Sequence, residues 1–214
     1  MSDPFDQSRY QVRFEWAVDG LARLADSEVV VVVDVLRFSS TVVARLDAGE
    51  TVPLDAAAHA VSLNGAAVAH AAAALDHAPL VVLGSLRNAA AVAAAALAEQ
   101  HRRGARTSIA VIAAGELVSG ADGAPLRVAV EDLLGAGAVI DALSTLGVDH
   151  TTRECGGPPA SLPRPPRRRP PSAHRERIGQ QLIERGLRDE VLAASEVDAS
   201  ASVPALRSGV FTAY

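Results

Sequence analysis

The sequence predicts a three-layer α/β fold with a largely parallel central sheet flanked by helices. Apolar, β-branched runs occupy residues 28–34, 79–83 and 108–112. Their continuity marks strands covered on both faces, and such strands belong mainly to parallel sheets. Each run is followed by a stretch that reads as helix, and that alternation indicates helices packed on both sides of the sheet. At 214 residues the chain can bury one substantial core, so residues 1–214 are expected to form a single domain.

The elements follow in order. Residues 11–16 predict an N-terminal strand. Residues 28–34 predict a buried strand followed by a helix over 39–48, then a short strand over 51–54. Small residues over 64–75 predict a close-packed helix. The strand at 79–83 leads through Gly84-Ser85-Leu86-Arg87-Asn88 into an Ala-rich helix over 89–102. The strand at 108–112 is followed by Ala113-Ala114-Gly115-Glu116, a loop rich in Gly and Asp, and a helix over 128–146. A further helix is predicted over 189–195, and the tail 202–211 is placed to close on the sheet.

Residues 152–177 break the pattern. The Pro/Arg-rich run 158–171 has neither helical nor strand periodicity, and repeated proline removes backbone donors. It is expected to be extended or disordered. Its composition matches GC-rich Ala codons read in a shifted frame, and all 20 basic Lys or Arg residues being Arg also fits a GC-rich coding sequence.

Composition excludes several function classes. The net charge of -5 and pI near 5.7 oppose broad attraction to nucleic acid or anionic lipid. The Arg-rich stretch 164–177 lacks interleaved aromatics, so nucleic-acid binding is the lesser reading. A single cysteine, Cys155, allows no intrachain disulfide and fits a reducing cytoplasm. No secretory signal is visible at the N-terminus. The longest apolar runs fall well short of the roughly 18 to 20 residues of a membrane span. The expectation is a soluble cytoplasmic protein.

Chemistry concentrates where strands end, as it does in open α/β sheets. Asp34 stands at the end of a buried valine strand, a position that can hold a hard cation, and it is a candidate Mg²⁺ ligand. Arg37 can clamp a phosphate or sulfonate, while Ser39, Ser40 and Thr41 combine hydroxyls with free N–H groups at a helix start. The structural alternative is that Ser39 caps the helix and Asp34 satisfies loop amides. A phosphoaspartate mechanism is disfavoured because Leu36 stands where a second Asp would be expected. Ser85 and Asn88 either cap the following helix or contact a phosphate. Glu116 and the pair Glu131-Asp132 are further candidate acids, although helix-dipole stabilisation also explains the pair. Asn64 enters another helix at a loop. The six histidines show no metal-ligand spacing.

In this order, Val31 to Thr41 (VVVDVLRFSST), Asn64-Gly65-Ala66, Gly84 to Ala89 (GSLRNA), Ala113 to Glu116 (AAGE), Val130 to Gly137 (VEDLLGAG) and Ser195-Glu196-Val197-Asp198 resemble the 2-phosphosulfolactate phosphatase family, also called ComB-like. The resemblance implies Mg²⁺-dependent hydrolysis of 2-phospho-3-sulfolactate to 3-sulfolactate and phosphate, a step of coenzyme M biosynthesis. It implies that Asp34, with Glu116 or with Glu131 and Asp132, holds the metal. Asp34 and Arg37 become the catalytic candidates. Ser39, Ser40, Thr41, Asn64, Ser85 and Asn88 become the substrate-binding ones, the partner being a small phosphorylated, sulfonated acid. The resemblance is also compatible with a homodimer. The chain departs from the family in the short connection from Asp55 to Leu63 and in 152–177. Another small phosphorylated acid as substrate, or a non-catalytic phosphate-binding protein, are the alternative readings.

Overall fold

The computed structural model describes residues 5–55, 63–117, 125–148, 150–151, 183–184 and 186–214. The short connection after Asp55, the anomalous segment 152–177 and Cys155 lie, wholly or almost wholly, outside the described residues.

Along the chain run β1 (Val12–Trp16), α1 (Ala17–Arg23), β2 (Val29–Val33), α2 (Phe38–Asp47), β3 (Val52–Pro53), α3 (Leu63–Ala73), β4 (Leu80–Gly84), a 3₁₀ turn (Leu86–Asn88) and α4 (Ala89–Arg103). They are followed by β5 (Ile109–Ala113), β6 (Glu116–Leu117), β7 (Leu126–Arg127), α5 (Val130–Thr145), α6 (Arg188–Ala194), β8 (Pro204–Arg207) and β9 (Val210–Ala213). Among the described residues, seven strands form one sheet in the order β1-β5-β2-β4-β8-β9-β3. The first four are parallel, and the hairpin β8–β9 and the short β3 extend them antiparallel. The expected α/β fold with a largely parallel core is the fold observed.

The reason lies in the period-2 exposure of a strand covered on both sides. In β2, Val29, Val31 and Val33 pack on one face with Val92 and Ala96 of α4 and Val139 and Leu143 of α5. Val30 and Val32 pack on the other face with Val42 of α2, Ala69 and Ala72 of α3, and Leu21 of α1. All five valines are buried. Alanine-rich α3 and α4 approach the sheet closely because their contact faces carry little beyond a methyl group, which suits a chain with only 3% aromatics.

One helix and one hairpin were not anticipated. α1 is seven residues long with Gly20 inside it, so its helical signal is weak by propensity and only packing of Leu21 against the sheet secures it. The β6–β7 hairpin has two residues per strand, too short for any periodicity. The tail does close on the sheet, as the β8–β9 hairpin, in which Phe211 packs edge-on against Phe38 of α2 at 5.8 Å.

The strand sequence reverses at β2: the chain proceeds to β4 on one side and then returns to place β5 on the other. Crevices for ligands open at the carboxyl ends of strands at such a switch point.

Candidate active site

Asp34 immediately follows β2 at that switch point. The turn beyond it is tied back onto the strand by Ser39, whose backbone N–H donates to the Asp34 carbonyl at 2.9 Å. The Ser39 hydroxyl accepts from the Asp34 N–H at 3.1 Å and donates to the Val32 carbonyl at 3.2 Å. The Leu36–Arg37 peptide bond within this turn is cis. Held in this way, the Asp34 carboxylate accepts from Phe38 N–H at 3.2 Å, at the start of α2, and from Gly65 N–H at 3.1 Å, in the first turn of α3.

Asp132 reaches the same place from the first turn of α5. One oxygen accepts from Val35 N–H at 2.8 Å and the other from Gly115 N–H at 3.0 Å. It thereby joins the loop after β2 to the loop after β5, across 97 residues in the first case. Asp34 and Asp132 are each 3% exposed. Three helix starts surround the pair, and their dipoles favour negative charge there.

Burial, followed by the neighbouring Asp34 charge, pushes the Asp132 carboxyl well above the usual carboxylate range, and Glu131 adds to the effect. The N–H bonds from Val35 and Gly115 pull in the opposite direction without overcoming it. Two carboxyl groups so placed resist simultaneous ionisation, and a cation or a shared proton relieves the repulsion.

The predicted acids divide accordingly. Asp132 is bonded to the residue after Asp34 and feels the Asp34 charge, and Glu131, buried next to it in the chain, acts on it electrostatically as well. Glu116 lies one residue beyond Gly115 but its carboxylate pairs with Arg127 at 3.4 Å on the β6–β7 hairpin. Among the described residues, no three His, Cys, Asp or Glu side chains gather as a metal-binding group. The donor set still suits Mg²⁺, which usually keeps several waters and binds through one or two carboxylates together with substrate phosphate. Each carboxylate oxygen can accept more than one bond, so an N–H contact does not exhaust it.

The predicted substrate-binding residues occupy three settings. Arg37 pairs with Glu190 of α6 at 3.2 Å and lines, with Ser40 and Thr41, a cleft of about 340 Å³. Asn64 sits half-buried in the first turn of α3, beside Gly65. Ser85 and Asn88 are fully buried and engaged with each other: the Asn88 side-chain carbonyl accepts from the Ser85 N–H at 2.9 Å and the Ser85 hydroxyl at 3.1 Å. The Asn88 amide donates to the carbonyls of Leu83 at 3.1 Å and Ser202 at 3.0 Å. Ser85 thus caps the 3₁₀ turn, and Asn88 ties the end of β4 to the approach to β8.

Sequence reasoning passed over Gly65 as a ligand of Asp34, and over Arg87 and Glu190 as cleft residues. The tight spacing of Ser85, Arg87 and Asn88 offered a signal for Arg87. Glu190 had none, because only the tertiary fold brings α6 to the end of β2.

A protein-family model described as 2-phosphosulpholactate phosphatase matches residues 51–209 of the 214. No curated protein matches the chain.

Proposed function

The chain belongs to the 2-phosphosulpholactate phosphatase family, a family of phosphoric monoester hydrolases, and from that premise we propose that it hydrolyses 2-phospho-3-sulfolactate to 3-sulfolactate and phosphate with Mg²⁺. The observation that carries this reading is the bond from Val35 N–H to the buried Asp132 carboxylate, which brings a second buried acid to the turn that Asp34 opens at the sheet's switch point. An excess of negative charge at one site is what a divalent cation offsets.

Asp34 and Asp132 would hold the ion, with Glu131 behind them. Bound there, Mg²⁺ supplies Lewis acidity toward the phosphoryl oxygens. The protein's own part is positioning. The N–H groups of Phe38 and Gly65 fix the Asp34 carboxylate, and those of Val35 and Gly115 fix that of Asp132, so neither must reorganise when substrate arrives. Arg37, at the mouth of the cleft beside this turn, provides a planar fork for phosphoryl oxygens. Its exposed bond to Glu190 is weak in water and easily exchanged for a phosphate.

On this reading the chain would act in coenzyme M biosynthesis, in the cytoplasm. Among the described residues no helix is long and apolar enough to cross a membrane.

The test is phosphate release from 2-phospho-3-sulfolactate by the wild-type chain and by Asp34→Asn, each with and without Mg²⁺. Mg²⁺-dependent release that the substitution removes is the expected result. Unaltered Mg²⁺-dependent release by Asp34→Asn would dismiss the assigned role.

A further inference from the structure

Arg37 closes the turn that Asp34 opens, and its guanidinium holds an acid of the chain itself. Nη1 donates to Oε2 of Glu190 at 3.2 Å. Glu190 comes from α6, 153 positions further along the chain, and both residues line the same cleft. A carboxylate on a guanidinium suited to a phosphoryl group is either a strut that holds α6 or a stand-in for the substrate's charge.

The rest of α6 decides between the two. Its C-terminal end is held independently of Glu190: Arg87 Nη1 donates to the Ala193 carbonyl at 2.7 Å and to Glu196 at 2.8 Å. The chain beyond is fastened along the 3₁₀ turn, Asp198 N–H donating to the Leu86 carbonyl at 3.0 Å and Ser200 N–H to the Arg87 carbonyl at 2.9 Å. The Asp198 side chain accepts from the Ala90 N–H in the first turn of α4 at 2.8 Å. Val191 and Ala194 of α6 are buried. The Ser195-Glu196-Val197-Asp198 stretch therefore clasps the Gly84 to Ala89 stretch, and α6 keeps its place without Glu190. The Glu190 side chain is half exposed, so its pair with Arg37 adds no more to stability than an ordinary surface pair.

A strut is thus superfluous, whereas the geometry suits a competitor. Among the described residues Glu190 takes one terminal nitrogen of the Arg37 fork, and a phosphoryl group can take two in parallel. The pair therefore yields to a phosphoryl group. Because the carboxylate is tethered to an anchored helix, it competes with free phosphate as if present at a roughly millimolar concentration.

We propose that Glu190 is a built-in competitor for the phosphate position. It takes Arg37 between turnovers, gives way to the phosphoryl group of the substrate, and by returning favours release of product phosphate. The proposal rests on the phosphatase reading for Arg37 as the phosphoryl fork, and it adds a device that limits inhibition by product.

The experiment titrates inorganic phosphate calorimetrically, with Mg²⁺ present, into wild type, Glu190→Gln, Arg37→Met, the double variant and Glu50→Gln. Glu50 lines the same cleft but pairs with Arg45 at 2.8 Å, so its variant removes an equal charge without freeing Arg37. Glu190→Gln should bind phosphate about three- to fivefold more tightly than wild type, the range an exposed ion pair supports. That gain should be absent when Arg37 is replaced, and smaller in Glu50→Gln. Inhibition of 2-phospho-3-sulfolactate hydrolysis by phosphate should strengthen by the same factor in Glu190→Gln. Urea midpoints of Glu190→Gln and wild type should agree, which a strut would not allow. Unchanged or weaker phosphate binding in Glu190→Gln overturns the competitor, as does a gain that survives the loss of Arg37, an equal gain in Glu50→Gln, or no phosphate binding by either wild type or Glu190→Gln. If the substrate is not hydrolysed, the phosphatase reading fails, and the titrations still decide whether Glu190 and phosphate compete for Arg37.

Discussion

The backbone N–H of Gly65 donates to the Asp34 carboxylate at 3.1 Å, and a Cβ at Gly65 would lie 2.5 Å from that oxygen and 2.8 Å from the Asp34 Cβ. The start of α3 is therefore seated directly on the acid that ends β2, and only glycine permits the approach. Gly65→Ala must push either α3 or the Asp34 side chain aside. We expect a loss of about 1–3 kcal/mol of stability and a fall in phosphatase activity greater than the lost folded fraction explains. Thermal melts and steady-state kinetics on the same preparation measure both. Wild-type activity in a folded Gly65→Ala protein would show that Asp34 need not be held in this way.

Arg37→Met separates binding from stability. The Arg37–Glu190 pair is partly solvated, with side chains 26% and 51% exposed, so its removal should cost no more than about 1 kcal/mol. If Arg37 holds the phosphoryl group, kcat/KM should fall about a hundredfold or more. Urea midpoints and initial rates together test the assignment. A large stability loss with little kinetic change would reverse it.

Asn88→Asp is predicted to be more damaging than Asn88→Ala. The buried Asn88 amide donates to two carbonyls, those of Leu83 and Ser202. A carboxylate there would set lone pairs against both and bury an unpaired charge. A loss of about 2–4 kcal/mol is expected for Asp and less for Ala, read from denaturant unfolding.

One acid-sensitive contact lies far from the site. Glu99 of α4 accepts two bonds from Arg102, at 2.6 and 2.7 Å, and these hold its carboxyl below the usual range despite the opposing effect of burial. A lowered folded-state value means that the ionised form favours folding above the ordinary glutamate value of about 4.3, and that this contribution fades as pH falls through the lowered value. Glu99→Gln should therefore be less stable than wild type at pH 7, by about 0.5–1 kcal/mol because Arg102 is exposed. The two should converge below about pH 4. Urea titrations at both pH values would show it, and a gap that widens in acid would refute the assignment.

Much of the architecture was legible in the sequence because its signals are local. The five valines of β2 need cover on both faces, which calls for helices on both sides of a parallel core. The Ala-rich α4 begins at the predicted residue and ends one later. Asp34 could be placed at the strand end, and its carboxylate does satisfy backbone amides there, those of Phe38 and Gly65. α1 escaped notice because a short helix containing glycine is held by packing rather than propensity.

By itself, the sequence determined the α/β class, the strand-end position of Asp34 and the family to which its motifs belong, because these rest on periodicity and on short ordered motifs. Only the tertiary structure decided that Asp132, and not Glu116, is tied to the turn after Asp34, that Asn88 is occupied with backbone carbonyls, and that Arg87 and Ser40 line a cleft with residues of α6. Apart from the Asn88–Leu83 bond, those relationships join residues about 45 to 155 positions apart in the chain. They depend on β5 returning across β2 and on α6 packing against the 3₁₀ turn after β4, a matter of sheet order and packing that no local pattern encodes.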